Sequence, residues 1–174
     1  MRLPILMAVV FTSASITAPV ALAGTPGAQT ASHPTAYCQT ALPVFDGNIR
    51  KRPLAVQNEG TGPAFVTCSY PSPEGRTPGN SSTTRVWQYV LNNSDSPVTI
   101  NCTGVASTNN HAGAQYVVKS LVVDPGAGEQ VINWYAADFE GSPTVFPNQG
   151  IFSVSCSLPP GAGVGVSYIN ALSP

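Results

Sequence analysis

Val86-Trp-Gln-Tyr-Val-Leu91, Asn92-Asn-Ser-Asp-Ser-Pro97 and Val98-Thr-Ile-Asn-Cys102 follow one another without a break. The first run is aromatic and β-branched, the composition that suits a pleated, half-buried surface. The second gathers residues that favour turns. The third alternates, so Val98, Ile100 and Cys102 share one face of a strand while Thr99, Asn101 and Thr103 take the other. Together they predict a hairpin. Further along, residues 116–123 and 129–135 flank Asp124-Pro-Gly-Ala-Gly128, a second hairpin signal. Phe152, Val154, Cys156 and Leu158 then alternate with Ser153, Ser155 and Ser157 before Pro159-Pro-Gly-Ala-Gly163 turns into residues 164–169. Upstream, Leu54-Ala-Val56 precedes a turn at Asn58-Glu-Gly-Thr-Gly-Pro63, and residues 65–70 read as a strand. Residues 71–84 form a loop rich in Pro, Gly and Ser, and no long segment carries a helical stripe. Seven or eight short antiparallel strands with polar outward faces bury their apolar sides by stacking two sheets. The fold class expected is all-β: a single antiparallel β-sandwich, jelly-roll or Ig-like, bonded by disulfides. A transmembrane barrel needs longer strands and lipid-compatible outer faces, and here those faces are Ser, Thr and Asn.

The first 23 residues read as a secretory signal. Arg2 gives a short positive region, an apolar stretch runs to Val20, and Ala21-Leu22-Ala23 supplies the small-x-small cleavage pattern, with Gly24 as the first mature residue. Pro4 and Pro19 argue against a spanning helix, so no membrane span is expected. Residues 24–36 read as a flexible lead-in and residues 37–174 as the β-sandwich domain. Removing 23 residues from 174 leaves 151, enough for one domain with a real core. Only 9% of residues are charged, and the mature chain has six basic and eight acidic side chains. Such a surface carries no clustered positive charge for nucleic acid. Cys38, Cys68, Cys102 and Cys156 all follow the cleavage point, and an even count in an exported chain favours two bridges. Of three pairings, Cys38–Cys68 and Cys102–Cys156 are favoured, the second joining two strands of similar character. The compartment expected is secreted or periplasmic.

The segment Val154-Ser-Cys156-Ser-Leu-Pro-Pro-Gly161 resembles a loosely defined group of short exported proteins of Gram-negative bacteria. Its members share four cysteines, at positions corresponding to Cys38, Cys68, Cys102 and Cys156, and a closing Cys-x-Leu-Pro-Pro before a last strand. The resemblance implies an exported, disulfide-bonded β-domain and brings no activity with it.

Side chains that carry chemistry are few. His33 lies in the lead-in and His111 in a polar loop, with no Gly-x-Ser-x-Gly elbow and no His-Glu-x-x-His beside them. The carboxylates Asp46, Glu59, Glu74, Asp95, Asp124, Glu129, Asp138 and Glu140 sit mostly in turns, where they close the turn. Asp138-Phe-Glu140 is the densest acidic spot, without an EF-hand loop to make it a calcium site. No metal or other cofactor is expected. Arg50-Lys-Arg52 is the only basic run: three charges could touch a polyanion such as an acidic cell-surface glycan, and a strand edge that discourages edge-to-edge pairing explains them as well. In Val131-Ile-Asn-Trp134-Tyr135, alternation puts Trp134 and Tyr135 on opposite faces, so one of them points outward. Trp87 poses the same question on its own strand. The expected function is a non-enzymatic exported module binding an extracellular or envelope partner through its loops. The alternative is carbohydrate binding through Trp134, Tyr135 or Trp87, with glycoside hydrolysis by loop carboxylates a distant third.

Overall fold

A computed structural model describes residues 28–33, 35–70, 83–107, 113–140, 146 and 151–172. The expected signal segment 1–23, most of the loop expected at 71–84 (with Glu74) and His111 lie outside the described residues.

Eleven strands follow in chain order: β1 (Ala28–His33), β2 (Cys38–Thr40), β3 (Ile49–Lys51), β4 (Val56–Asn58), β5 (Ala64–Tyr70) and β6 (Thr83–Asn92). After them come β7 (Val98–Ser107), β8 (Gln115–Val123), β9 (Gln130–Tyr135), β10 (Ile151–Leu158) and β11 (Ala162–Leu172). All the pairings are antiparallel and make two sheets. One runs β3-β4-β11-β6-β9, with β1 also paired to β11; the other runs β2-β5-β10-β7-β8. From β4 to β11 the order is first-eighth-third-sixth in one sheet and second-seventh-fourth-fifth in the other, which is a jelly roll.

The sandwich stands as expected, but its connections do not. None of the three expected hairpins is one. The turn after β6 leads to β7 in the opposite sheet, β8 leads to β9 in the opposite sheet, and β10 crosses to β11. The reason is physical. Alternation says that a strand buries one face, and two such strands satisfy it equally well side by side or face to face across the core. The lead-in also differs from expectation. Residues 28–33 form β1, in register with β11 from Ala28↔Leu172 to His33↔Ser167. Backbone groups alone make such a ladder, so the segment needs no apolar period to join it.

The core lies between the sheets, with Val56, Val66, Val86, Val90, Ile100, Trp134, Val154, Leu158 and Ile169 fully enclosed. Phe152, Val154, Cys156 and Leu158 are all buried, as the alternation predicts. Both expected disulfides are present, and each joins residues directly opposite on neighbouring strands of the five-stranded sheet. Cys38 faces Cys68 across β2 and β5, and Cys102 faces Cys156 across β7 and β10. One polar cluster is buried with the apolar groups. The Tyr70 hydroxyl is 2.6 Å from Ser167 Oγ and donates to Gln88 Oε1, while Gln88 Nε2 donates to the Gly165 carbonyl at 2.8 Å. Burial pushes the Tyr70 phenol well above its ordinary pKa, against the opposing pull of the Ser167 hydrogen bond, so it stays protonated and able to donate.

Two asparagines fasten the sheet crossings, and they do so alike. Asn58, the last residue of β4, donates from Nδ2 to the carbonyls of Gly62 and Leu158 and accepts the Gly60 N–H. Asn92, the last of β6, donates to the carbonyls of Ser96 and Val123 and accepts the Ser94 N–H. Each amide closes its own turn and reaches a strand end in the other sheet. Such buried amides are stabilising only when all their bonds are made.

Candidate functional site

Every second residue of β6 points away from the core, and these outward residues meet partners on both flanking strands. Trp87 lies opposite Tyr168 of β11 and opposite Asn133 of β9. Arg85 lies opposite Asn170 and Tyr135. The result is a compact aromatic and amide face on the solvent side of the six-stranded sheet. The Trp87 and Tyr168 rings stack with centroids 5.5 Å apart and planes 18° apart, and Tyr89 meets Tyr168 edge-on at 5.8 Å. The Arg85 guanidinium carbon sits 4.6 Å from the Trp87 centroid and 5.2 Å from that of Tyr135. Its Nε and Nη2 both donate to Asn133 Oδ1, at 3.0 and 2.6 Å. Lys119 Nζ bonds Asp138 at 2.6 Å, and the same carboxylate oxygen accepts the Tyr135 N–H. These side chains hold one another in place, so a ligand would meet a surface already ordered.

The Trp87, Tyr89 and Tyr168 rings are half-buried and carry polar groups. Neither the Trp87 indole N–H nor the Tyr89 and Tyr168 hydroxyls bond another described residue. At the far end of β6 the face runs into a depression of about 300 Å³ lined by Leu91, Asn92, Asn93, Gly126, Gly128 and Glu129. Glycine shapes this end: a Cβ built at Gly165 would lie 2.6 Å from Glu129 Oε1, so only glycine lets that carboxylate lie against β11.

Of the three aromatics expected to bind a ligand, the structure brings Trp87 and Tyr135 to this face and removes Trp134. Tyr135 is 46% exposed, and Trp87 is partly exposed. Trp134 is fully buried, with its indole N–H donating to the Val117 carbonyl at 2.9 Å. It cannot stack on a sugar without unpacking the core. Tyr168, Tyr89, Arg85 and Asn133 were missed in the sequence. Tyr89 was legible, two residues from Trp87 on one strand; Tyr168 was not, since it joins only through pairing with a strand distant in the sequence.

The remaining candidates are dispersed. Glu59 pairs with Arg50 and Arg52, on the β3–β4 hairpin where β3 is an outer strand, which matches the edge reading of the basic run. Asp46 accepts from Thr40, and Asp138 is engaged by Lys119 and the Tyr135 backbone instead of waiting for calcium. No group of three or more His, Cys, Asp and Glu fit to hold a metal occurs among the described residues. No helix among them is long and apolar enough to cross a membrane.

No protein-family model and no curated protein matches the chain. Solved structures do. A family 11 carbohydrate-binding module from Clostridium thermocellum, in complex with a β-1,3-1,4-mixed-linked tetrasaccharide, is 15% identical over 87% of this chain and 92% of its own, with a TM-score of 0.43. The C-terminal CBM6 of LamC, a marine laminarinase from Zobellia galactanivorans, is 14% identical over 81% and 98%, with a TM-score of 0.43. A family two carbohydrate esterase from Cellvibrio japonicus is 12% identical over 86% of this chain and 35% of its own, again at 0.43. These likenesses assign no residue of the outer face.

Proposed function

We propose that the chain is a non-enzymatic, exported binding module that takes a carbohydrate on the outward face of β6, β9 and β11. The observation that carries the reading is the cluster of Trp87, Tyr168, Tyr89 and Tyr135 with Arg85 and Asn133, ordered on the solvent side of a sheet whose other side is the core. Folding needs the inner face, so it does not account for four rings gathered on the outer one. A sugar offers apolar C–H patches and many hydroxyls. Aromatic rings take the first, while amide, guanidinium, indole and phenol groups fix the second. Strands hold such groups more rigidly than loops, so little ordering entropy is lost on binding.

A second reading, a protein partner, draws on a different place. On β8, an outer strand of the five-stranded sheet, Tyr116, Val118 and Val122 are 68%, 66% and 62% exposed. Apolar side chains lined along one outer strand suit a protein surface better than a glycan.

Isothermal titration of purified protein against hits from a glycan array separates the two. Trp87→Ala and Tyr168→Ala are each expected to weaken sugar binding at least tenfold, a loss of about 1.4 kcal/mol, with circular dichroism unchanged. Val118→Ser is expected to leave it unaltered. Undiminished binding by Trp87→Ala, or no glycan bound at all, overturns the carbohydrate reading; loss of a captured protein partner in Val118→Ser would favour the second.

A further inference from the structure

We infer that the carbohydrate is an acidic one, and that Arg85 takes its anionic group. This deepens the carbohydrate reading and rests on it. The described cations with a defined contact are mostly neutralised: Arg50 and Arg52 share Glu59, and Lys119 pairs with Asp138. Arg85 is treated differently. Its hydrogen-bond partner is the neutral amide of Asn133, and its flanks are the rings of Trp87 and Tyr135. An amide satisfies two donors and leaves the full positive charge in place. No described carboxylate pairs with Arg85, and Nη1 has no acceptor among the described residues.

The guanidinium is oriented by Asn133 and the two rings, and its Nη1 is left without an acceptor among the described residues. A guanidinium in that state offers parallel N–H donors to two oxygens of one anion, and a charge-assisted pair of this kind is about twice as strong as a neutral hydrogen bond. A sugar hydroxyl could use one donor; a uronic-acid carboxylate or a sulfate uses two and meets the charge. The opposite end of the face has the opposite sign. Glu129, with no cationic partner among the described residues, lies against Gly165 beside Tyr89. Tyr89 lies four positions along the strand from Arg85, about 13 Å. A glycan bound along β6 thus meets one cation and one anion. The preferred ligand carries its acidic unit over Arg85 and Trp87 and a neutral unit over Tyr89.

The test is a glycan array in which each uronic-acid oligosaccharide is printed beside its carboxyl-reduced form and each sulfated one beside its desulfated form, followed by titration of the hits. Wild-type protein is expected to prefer the acidic member of a pair at least tenfold at low salt, with the preference shrinking as salt is added. Arg85→Gln should weaken the acidic member more than the neutral one, by enough to abolish that preference. Arg85→Lys should keep part of it, because the point charge survives without the fork. Glu129→Gln should raise affinity for oligosaccharides acidic at every unit. Preference for the sulfated over the carboxylated hits, abolished by Arg85→Gln, supports the inference and names sulfate as the anion; the reverse order names carboxylate. Equal binding of both members of every pair overturns it and leaves the carbohydrate reading standing. Binding of no array member overturns both. The wild-type pair comparison and its salt dependence need no variant to fold.

Discussion

Trp134 and Trp87 are alike in the sequence, and opposite in the structure. Each stands in an alternating strand, and alternation fixes that neighbours diverge, not which of them goes inward. What decides Trp134 is Gly104, on β7 in the facing sheet. A Cβ built there would come within 2.6 Å of the indole nitrogen and 2.7 Å of its Cδ1. The missing side chain is the space the ring occupies, and the Val117 carbonyl receives the N–H that burial would otherwise strand. Gly104→Ala is therefore expected to destabilise the protein by about 1–3 kcal/mol, the range for overpacking a filled core. Chemical denaturation followed by tryptophan emission reads this, and an unchanged midpoint would show that the ring shifts freely. Among the described glycines none comes that close to Trp87, whose neighbours are Arg85 and Tyr168. Which tryptophan is available to a ligand is thus written in residues far from either one.

At the scale of elements, most of the strands could be read from the chain, whereas the way they join could not. The burial of Phe152, Val154, Cys156 and Leu158 on β10 follows directly from period-two spacing. The polar stretches at 58–63 and 92–97 were legible as turns, yet they lead across the sandwich instead of back along a sheet. The residues responsible were in view. Asn58 and Asn92 each close a turn locally, as asparagine commonly does, but the second hydrogen bond of each amide goes to Leu158 or Val123 in the opposite sheet. That partner is 100 positions away in one case and 31 in the other, beyond the reach of local pattern. Asn92→Ala is expected to cost about 1–3 kcal/mol, because two carbonyls lose a buried donor. Asn58→Ala should behave alike, and urea midpoints of the two single variants and the double variant give both losses and their additivity. A loss below about 0.5 kcal/mol would mean that water replaces the amide. The outward face of the six-stranded sheet shows the same division: Trp87 and Tyr89 belong to one strand, while Tyr168 and Asn133 reach them only through pairing.

For the molecule as a whole, the covalent cross-links are unevenly placed. Both lie in the five-stranded sheet, one at its outer strand β2 and one at its centre, and the sheet that carries the aromatic face has none. Closing sequence separations of 30 and 54 residues is worth about 4 kcal/mol each in the chain-entropy account. Replacing both cysteines of either pair by alanine is expected to lower the thermal midpoint clearly. Losing both pairs should leave the protein largely unfolded at 37 °C, since domains of this size hold only about 5–15 kcal/mol in total. Circular dichroism melts with and without reductant check it, and coincident melts would assign the stability to the core alone. The jelly-roll order also imposes a schedule. β10 is the strand that joins β5 to β7, and β11 is the one that joins β4 and β1 to β6, so both sheets are completed by the last two strands described. A chain delivered N-terminus first can form β2 with β5 and oxidise Cys38 with Cys68 early. Cys102 must wait, reduced and without its neighbour, until residue 156 arrives. Such non-local closure is slow, and neither sheet can close until residues 151–172 are free to pair: the end of the chain is the clasp of the whole sandwich.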